Sequence, residues 1–115
     1  MKVGIVGSRR RRCRDEVRRL VSSLPMDALV ISGGCRGVDI WAVQCAADRG
    51  MRTEVYYPVK LGPGYGWACR SHAERNSRAA DAVDVLHAFV APDRKGGTEQ
   101  TIGHALRAGK KVVIC

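Results

Sequence analysis

Several features that define large classes of protein are missing from this sequence of 115 residues. No apolar run approaches the roughly 20 residues that a membrane-spanning helix needs, so we expect no membrane partner. The five cysteines are widely spaced without a CxxC pair, and the three histidines lack metal-ligand spacing. We therefore expect neither a disulfide framework nor a metal site. The short apolar start precedes the basic residues, the reverse of a secretory signal, and predicts a cytoplasmic protein.

The two common nucleotide-binding fingerprints are also missing. The chain contains no GxGxxG, the phosphate-binding turn of dinucleotide oxidoreductases. It also contains no GKS or GKT, the end of the P-loop of many NTPases. We therefore expect no dinucleotide cofactor and no P-loop chemistry, and we predict no cofactor of any other kind.

Acidic residues are few. The chain has 11 Asp and Glu against 20 Lys and Arg, which leaves a formal net charge of +9. Residues 1–20 alone contain eight basic and two acidic side chains. This charge suits an anionic partner, including nucleic acid, and it equally suits a solvated helix face. Composition leaves both interpretations open.

Apolar residues follow two alternating periods. Short runs rich in β-branched residues are typical of strands covered on both faces, and they occupy residues 2–6, 28–32, 53–57, 84–90 and 110–115. Helical spacing between them predicts four helices, the first ending at Pro25, the second before Gly50, the third over residues 72–82 and the fourth at Gly109. The order βαβαβαβαβ predicts an α/β fold, a Rossmann-like open parallel sheet of about five strands with helices on both faces. We expect one domain over residues 1–115.

One predicted connection is long for so small a protein. Residues 58–71 contain two prolines and three glycines, and we interpret them as a loop between the third strand and the third helix. Four of the six aromatic residues lie in or beside this stretch, namely Tyr56, Tyr57, Tyr65 and Trp67. These rings either stack on a bound base or pack the loop against the sheet edge.

Three predicted strand ends carry glycine turns. The first strand ends in "GSR" (residues 7–9), the second in "GGCRG" (33–37), and the fourth is followed by "KGGT" (95–98). In a parallel sheet these ends lie on one side, and each precedes a helix whose N-terminal N–H groups favour an anion by about 0.3–1 kcal/mol. Glycine there either lets a ligand approach the backbone or simply permits a tight turn. We predict that the three turns bind phosphate.

Side chains near these turns complete the predicted site. Arg9, Arg36 and Arg75 are expected to neutralise phosphate, because arginine binds its oxygens bidentately. Asp39, in the first turn of the second helix, either contacts the ligand or caps the helix. The predicted ligand-binding residues are Gly7, Ser8, Arg9, Gly33, Gly34, Arg36, Gly37, Asp39, Arg75, Asn76, Gly96, Gly97 and Thr98.

Taken together, "GSR", "ISGGCRGVD" (residues 31–39), "ERN" (74–76) and "GGTEQTIGHALRAGKKVVI" (96–114) resemble the SMF/DprA/LOG superfamily, also called SLOG. The second segment is similar to the SGGARGID pattern of that family. The short chain looks most like its small stand-alone, YspA-like members. The resemblance implies a Rossmann-like domain that binds a nucleotide or nucleotide-derived ligand across the three turns, and a homodimer as in many relatives.

Two branches of this superfamily suggest different functions. LOG proteins are phosphoribohydrolases that cleave the N-glycosidic bond of a nucleoside monophosphate with an arginine and a glutamate. Arg75 matches the arginine, but Thr101 stands at the glutamate position, so Glu99 is the nearest candidate for the acid. DprA proteins bind single-stranded DNA, which the net charge suits. We predict a nucleotide-binding or sensing module, with hydrolysis and DNA binding as the alternatives.

Overall fold

A computed structural model describes residues 1–60 and 62–115, and for Tyr65 only the backbone. The strands are β1 (Lys2–Gly7), β2 (Leu29–Ser32), β3 (Arg52–Val55), β4 (Val85–Phe89) and β5 (Lys111–Ile114). The helices are α1 (Arg14–Ser23), α2 (Val38–Asp48), α3 (Tyr65–Ala82) and α4 (Gly97–Arg107). Strands and helices alternate as the sequence predicts. Among the described residues, no helix has both the length and the apolar composition needed to span a bilayer.

The strands form one parallel sheet in the order β3-β2-β1-β4-β5. Val3 of β1 pairs with Val30 on one side and with Val85 on the other. The chain winds outward from β1 in both directions, so strand order reverses between β1 and β4. In open α/β sheets the crevice at the carboxyl ends of such strands is where ligands bind.

Helices cover both faces of the sheet, as predicted, because the central strands are apolar on both sides. One core joins α1 and α2 to the sheet and includes Val3, Ile5, Val17, Val21, Val30 and Ala42. The other joins α3 and α4 to the opposite face and includes Val6, Ile31, Ala80, Leu86, Ile102 and Ala105. Together these two cores hold the carboxyl ends of β1, β2 and β4 beside the helix N-termini.

The glycine at the end of β1 is required by close packing. A Cβ atom at Gly7 would lie 2.6 Å from the Cβ of Val38, the first residue of α2. Val38 is fully buried, so it has little room to move away. The absence of a side chain at Gly7 therefore lets α2 begin directly against β1.

The predicted loop over residues 58–71 is partly wrong. Helix α3 begins at Tyr65, after Gly64 with φ +87°, and not near residue 72. Apolar periodicity did not reveal this first part because residues 66–70 are exposed and bury no stripe. Trp67 packs on the loop, since a Cβ at Gly62 would lie 2.7 Å from its ring. Leu61 and the side chain of Tyr65, which belong to the same prediction, lie outside the described residues.

We expect Gly7→Ala to lower the free energy of unfolding by about 1–3 kcal/mol, because the new methyl group would overlap Val38. Gly103→Ala is the matched control, since its Cβ would meet only the flexible end of Arg107 at 3.3 Å. There the change should stabilise α4 by about 0.5–1 kcal/mol. Urea denaturation of both variants measures the difference, and equal stability of Gly7→Ala and the wild type would contradict the packing argument.

Candidate functional site

A cavity of about 410 Å³ opens at the carboxyl ends of the strands, within the size range of small-molecule sites. The turn after β1, the loop after β2, one face of α3 and the start of α4 form its walls. The structure brings most of the predicted residues together here. Those that line the cavity are Gly7, Ser8, Arg9, Gly33, Asp39, Arg75, Asn76, Gly96, Gly97 and Thr98.

Three other predicted ligand contacts do not line this cavity. Gly34 has φ +73° and faces Tyr57, whose ring carbon would lie 2.9 Å from an added Cβ. Arg36 and Gly37 line a separate, neighbouring hollow together with Arg9. At Gly34, therefore, the absent side chain makes room for the protein's own tyrosine and not for a ligand.

The proposed catalytic carboxylate, Glu99, is also placed elsewhere. Its two oxygens accept hydrogen bonds of 2.8 and 2.9 Å from the guanidinium of Arg94. On α4 the buried residues Thr98, Thr101 and Ile102 face the protein, which turns Glu99 away from the cavity. The expectation that Glu99 acts beside Arg75 is therefore corrected. Thr101, at the position of the LOG glutamate, does line the cavity, and its hydroxyl donates to the carbonyl of Gly97 at 3.2 Å.

Asp39 joins the first two glycine turns. Its carboxylate accepts hydrogen bonds from the backbone N–H groups of Gly7 (3.2 Å), Gly33 (3.0 Å) and Cys35 (3.4 Å). The N–H of Ser8 is also used, because it donates to the carbonyl of Phe89 at 2.9 Å. These amides are thus bound within the protein and are not free for a ligand, contrary to the expectation for Gly7 and Gly33.

Burial dominates the electrostatics of Asp39, whose residue surface is 3% exposed. Loss of solvation raises the pKa of its carboxyl to about 6, while the three backbone N–H groups and the charge of Arg75 oppose the rise. The carboxyl therefore titrates between the ordinary range of aspartate and neutral pH.

Arg75 is a buried guanidinium in the cavity wall, with 4% of its surface exposed. It donates hydrogen bonds to the carbonyl of Gly33, to Oδ1 of Asn76 at 2.9 Å and to Sγ of Cys35 at 3.2 Å. Within the described parts of the chain, no carboxylate oxygen lies within 4.0 Å of the guanidinium nitrogens of Arg75, the distance that defines an ion pair. Its charge is hydrogen-bonded but not neutralised by direct contact.

The start of α4 is the third predicted turn, and here the backbone donors are free. The N-cap is Gly96, with φ +114° and no side-chain cap, so Thr98 lies inside the first turn and does not cap the helix. Residues 97–99 come before the first intrahelical N–H donor. Their N–H groups have no acceptor among residues 1–60 and 62–115. Gly96, Gly97 and Thr98 all line the cavity.

Sequence reasoning missed several residues of the cavity wall, which are Val6, Arg10, Cys35, His72, Ala79, Lys95, Gln100 and Thr101. Arg10 binds Asp93 bidentately at 2.6 and 2.8 Å and donates to the carbonyl of Lys95, which holds the loop before α4. Gln100 accepts a hydrogen bond of 3.0 Å from Asn76. Arg10 carried no separate signal because it lies within a run of four arginines. Lys95 directly precedes the GGT turn, so that motif could have indicated it as a site residue.

The raised pKa of Asp39 predicts a pH dependence of stability. The folded state binds this proton more tightly than the unfolded chain, so the contribution is complete below about pH 4 and is lost as the pH rises through about 6. The loss amounts to roughly 3 kcal/mol.

Asp39→Asn tests this pH dependence, because asparagine cannot ionise. Its NH2 group would face backbone N–H donors, so the variant should be less stable than the wild type. The gap in unfolding free energy between wild type and variant should therefore be largest near pH 4 and shrink by pH 7. Urea denaturation across this range tests it, and a gap that widens with pH would contradict it.

Comparison with known proteins supports the fold. No family model and no curated protein matches the chain. Among solved structures it is similar to DNA processing protein A (DprA) from Streptococcus pneumoniae, with a TM-score of 0.82 and 19% sequence identity. The match covers 98% of this chain and 49% of that one, so the chain spans about half the length of that protein. The YspA-like subgroup, the dimer and the cytoplasmic location stay predictions. The chain therefore shares the Rossmann-like fold of that protein.

Proposed function

We propose that the cavity binds the phosphate end of a nucleotide or nucleotide-derived ligand. The observation that carries this proposal is the buried guanidinium of Arg75, which lines the cavity without a carboxylate in ion-pair contact. A buried charge that is not paired is costly, and an anion in the cavity would offset that cost.

The start of α4 supplies the complementary donors. The free N–H groups of its first turn and the helix dipole favour an anion, and the flexible cation Lys95 precedes them in the same wall. Val6 and Ala79 add apolar surface next to these polar groups. This combination suits a ligand that has a phosphate at one end and a less polar sugar or base at the other.

The same wall supports binding more than glycoside hydrolysis. Asp39 is its one carboxylate among the described residues, and three backbone N–H groups already occupy its oxygens. Glycosidic cleavage usually needs a carboxylate free to act at the sugar. Glu74, the acidic residue that precedes Arg75 in the sequence, pairs with Arg78 at 2.6 Å and lies outside the cavity.

Gly97→Asp tests the anion site without disturbing the fold. A Cβ at this position would meet only the Asn76 amide, at an ordinary distance of 3.7 Å. A carboxylate in the first turn of α4 should stabilise the helix by about 0.3–1 kcal/mol and should also repel a phosphate. We expect nucleoside monophosphates at millimolar concentration to raise the melting temperature of the wild type, and this shift to disappear in Gly97→Asp.

Gly97→Asn is the matched control, because it has nearly the same size and no charge. It should keep most of the ligand-induced shift. If no nucleotide shifts the melting temperature of the wild type, the proposal fails. If Gly97→Asp and Gly97→Asn respond alike, the anion does not lie at the start of α4.

A nucleic acid strand is the second candidate ligand. It is favoured by the fold shared with a DNA processing protein and by the eight basic residues among the first 20. Strand binding requires the affinity to fall with salt, with a slope of log K against log salt of about −0.7 for each phosphate neutralised. We expect fluorescence anisotropy of a labelled single strand to give a slope of roughly −2 or steeper. A flat salt response would exclude this candidate.

A further inference from the structure

Beside the cavity lies a second depression of about 640 Å³, which we call the arginine hollow. The turn after β1, the start of α1 and the loop before α2 enclose it. Its lining residues are Arg9, Arg12, Cys13, Arg14, Asp15, Glu16, Arg19, Arg36, Gly37 and Trp41. Half of them are arginines.

The positive charge of the arginine hollow is not cancelled by its own acids. Asp15 accepts a hydrogen bond from Arg18 at 3.1 Å, and Glu16 accepts one from Arg11 at 3.0 Å, and neither arginine lines the hollow. In the described ranges, the side chains of the five lining arginines have neither a carboxylate nor a carbonyl partner. The hollow therefore presents several cations with all their donors available.

The backbone adds to this potential. Arg14 is the first residue of α1, a helix whose N-terminus has no side-chain cap and whose first turn also contains Asp15 and Glu16. A cation at a helix N-terminus is unfavourable, as are like charges crowded into one depression. An anion bound in the hollow would offset both costs. The solvated-helix interpretation of the arginine run does not account for Arg36, which comes from the loop before α2 and lines the same hollow as the arginines of residues 9–19.

The arginine hollow and the cavity adjoin each other at Arg9, which lines both. The loop before α2 passes close to this residue, because a Cβ at Gly37 would lie 4.0 Å from the Cα of Arg9. One extended ligand can therefore reach both depressions.

We infer that the arginine hollow is a second phosphate-binding subsite, so that the ligand carries at least two phosphate groups, one at Arg75 and the start of α4 and the other on these arginines. This inference rests on the proposed function of the cavity. Either a pyrophosphate or a phosphodiester-linked dinucleotide supplies this chemistry. Guanidinium groups bind the oxygens of both in the same bidentate way.

Isothermal titration with three probes tests the subsite: AMP with one phosphate, ADP with a pyrophosphate, and the 5′-phosphorylated dinucleotide pApA with two phosphates separated by a sugar. The variant is Arg12→Gln with Arg19→Gln, because these residues line the hollow but not the cavity. Arg52→Gln with Arg107→Gln is the control, since it removes the same charge from exposed positions at the opposite end of the sheet.

In the wild type we expect ADP or pApA to bind about tenfold or more tightly than AMP. The Arg12/Arg19 variant should lose most of this gain and keep its affinity for AMP, whereas the control variant should keep both. A gain for ADP identifies adjacent phosphates, and a gain for pApA alone identifies phosphates spaced by a sugar.

Three other results overturn the subsite. If AMP binds and neither ADP nor pApA binds more tightly, the second phosphate has no site, although the proposed function of the cavity stands. If the Arg12/Arg19 variant loses AMP as strongly as pApA, the arginines serve the first phosphate. If none of the three probes binds the wild type, the proposed function fails and the subsite fails with it.

Discussion

The hydrogen bonds of one buried carboxylate hold the candidate site together. Asp39, in the first turn of α2, binds the backbone N–H groups at the ends of β1 and β2. Two strand ends and one helix start are thereby joined at a single side chain. The close approach that this requires explains the glycines, since a Cβ at Gly33 would lie 2.9 Å from the Asp39 carboxylate and one at Gly7 would overlap Val38.

This arrangement also decides which groups face the cavity. The N–H groups of Gly7, Gly33 and Cys35 are bound to Asp39, whereas those at the start of α4 have no acceptor among the described residues and join the neighbouring cations in the cavity wall. Arg75 is held between the carbonyl of Gly33 and the side chain of Asn76, which fixes its guanidinium without neutralising it. Asn76 in turn binds Gln100 of α4. The buried cation and the helix N-terminus are therefore parts of one hydrogen-bonded unit, and both favour an anion between them.

Neighbouring arginines in the run from Arg9 to Arg12 differ in their partners. Arg10 and Arg11 belong to the same run in sequence as Arg9 and Arg12, yet Arg10 ties the loop before α4 to Asp93, and Arg11 donates to the carbonyl of Cys115 at 2.9 Å. Their neighbours in the run have no such partners among the described residues and line the arginine hollow. The two inner arginines of the run thus bond to the protein, and the two outer ones line the hollow.

The amino-acid sequence by itself determined the order of strands and helices, the parallel sheet and the positions of the three turns. Each of these depends on local apolar periodicity and on glycines such as Gly7 and Gly96. Both signals can be recognised from residues that are close together in the sequence. Only the exposed start of α3 escaped, because it buries no apolar stripe. The tertiary structure alone decided that Asp39 binds N–H groups of two turns, that Glu99 turns away from the cavity and that Arg75 has no carboxylate in ion-pair contact among the described residues. These outcomes depend on contacts in three dimensions, such as those of Asp39 with Gly7 and of Arg75 with Gly33, and local periodicity carries no information about such contacts.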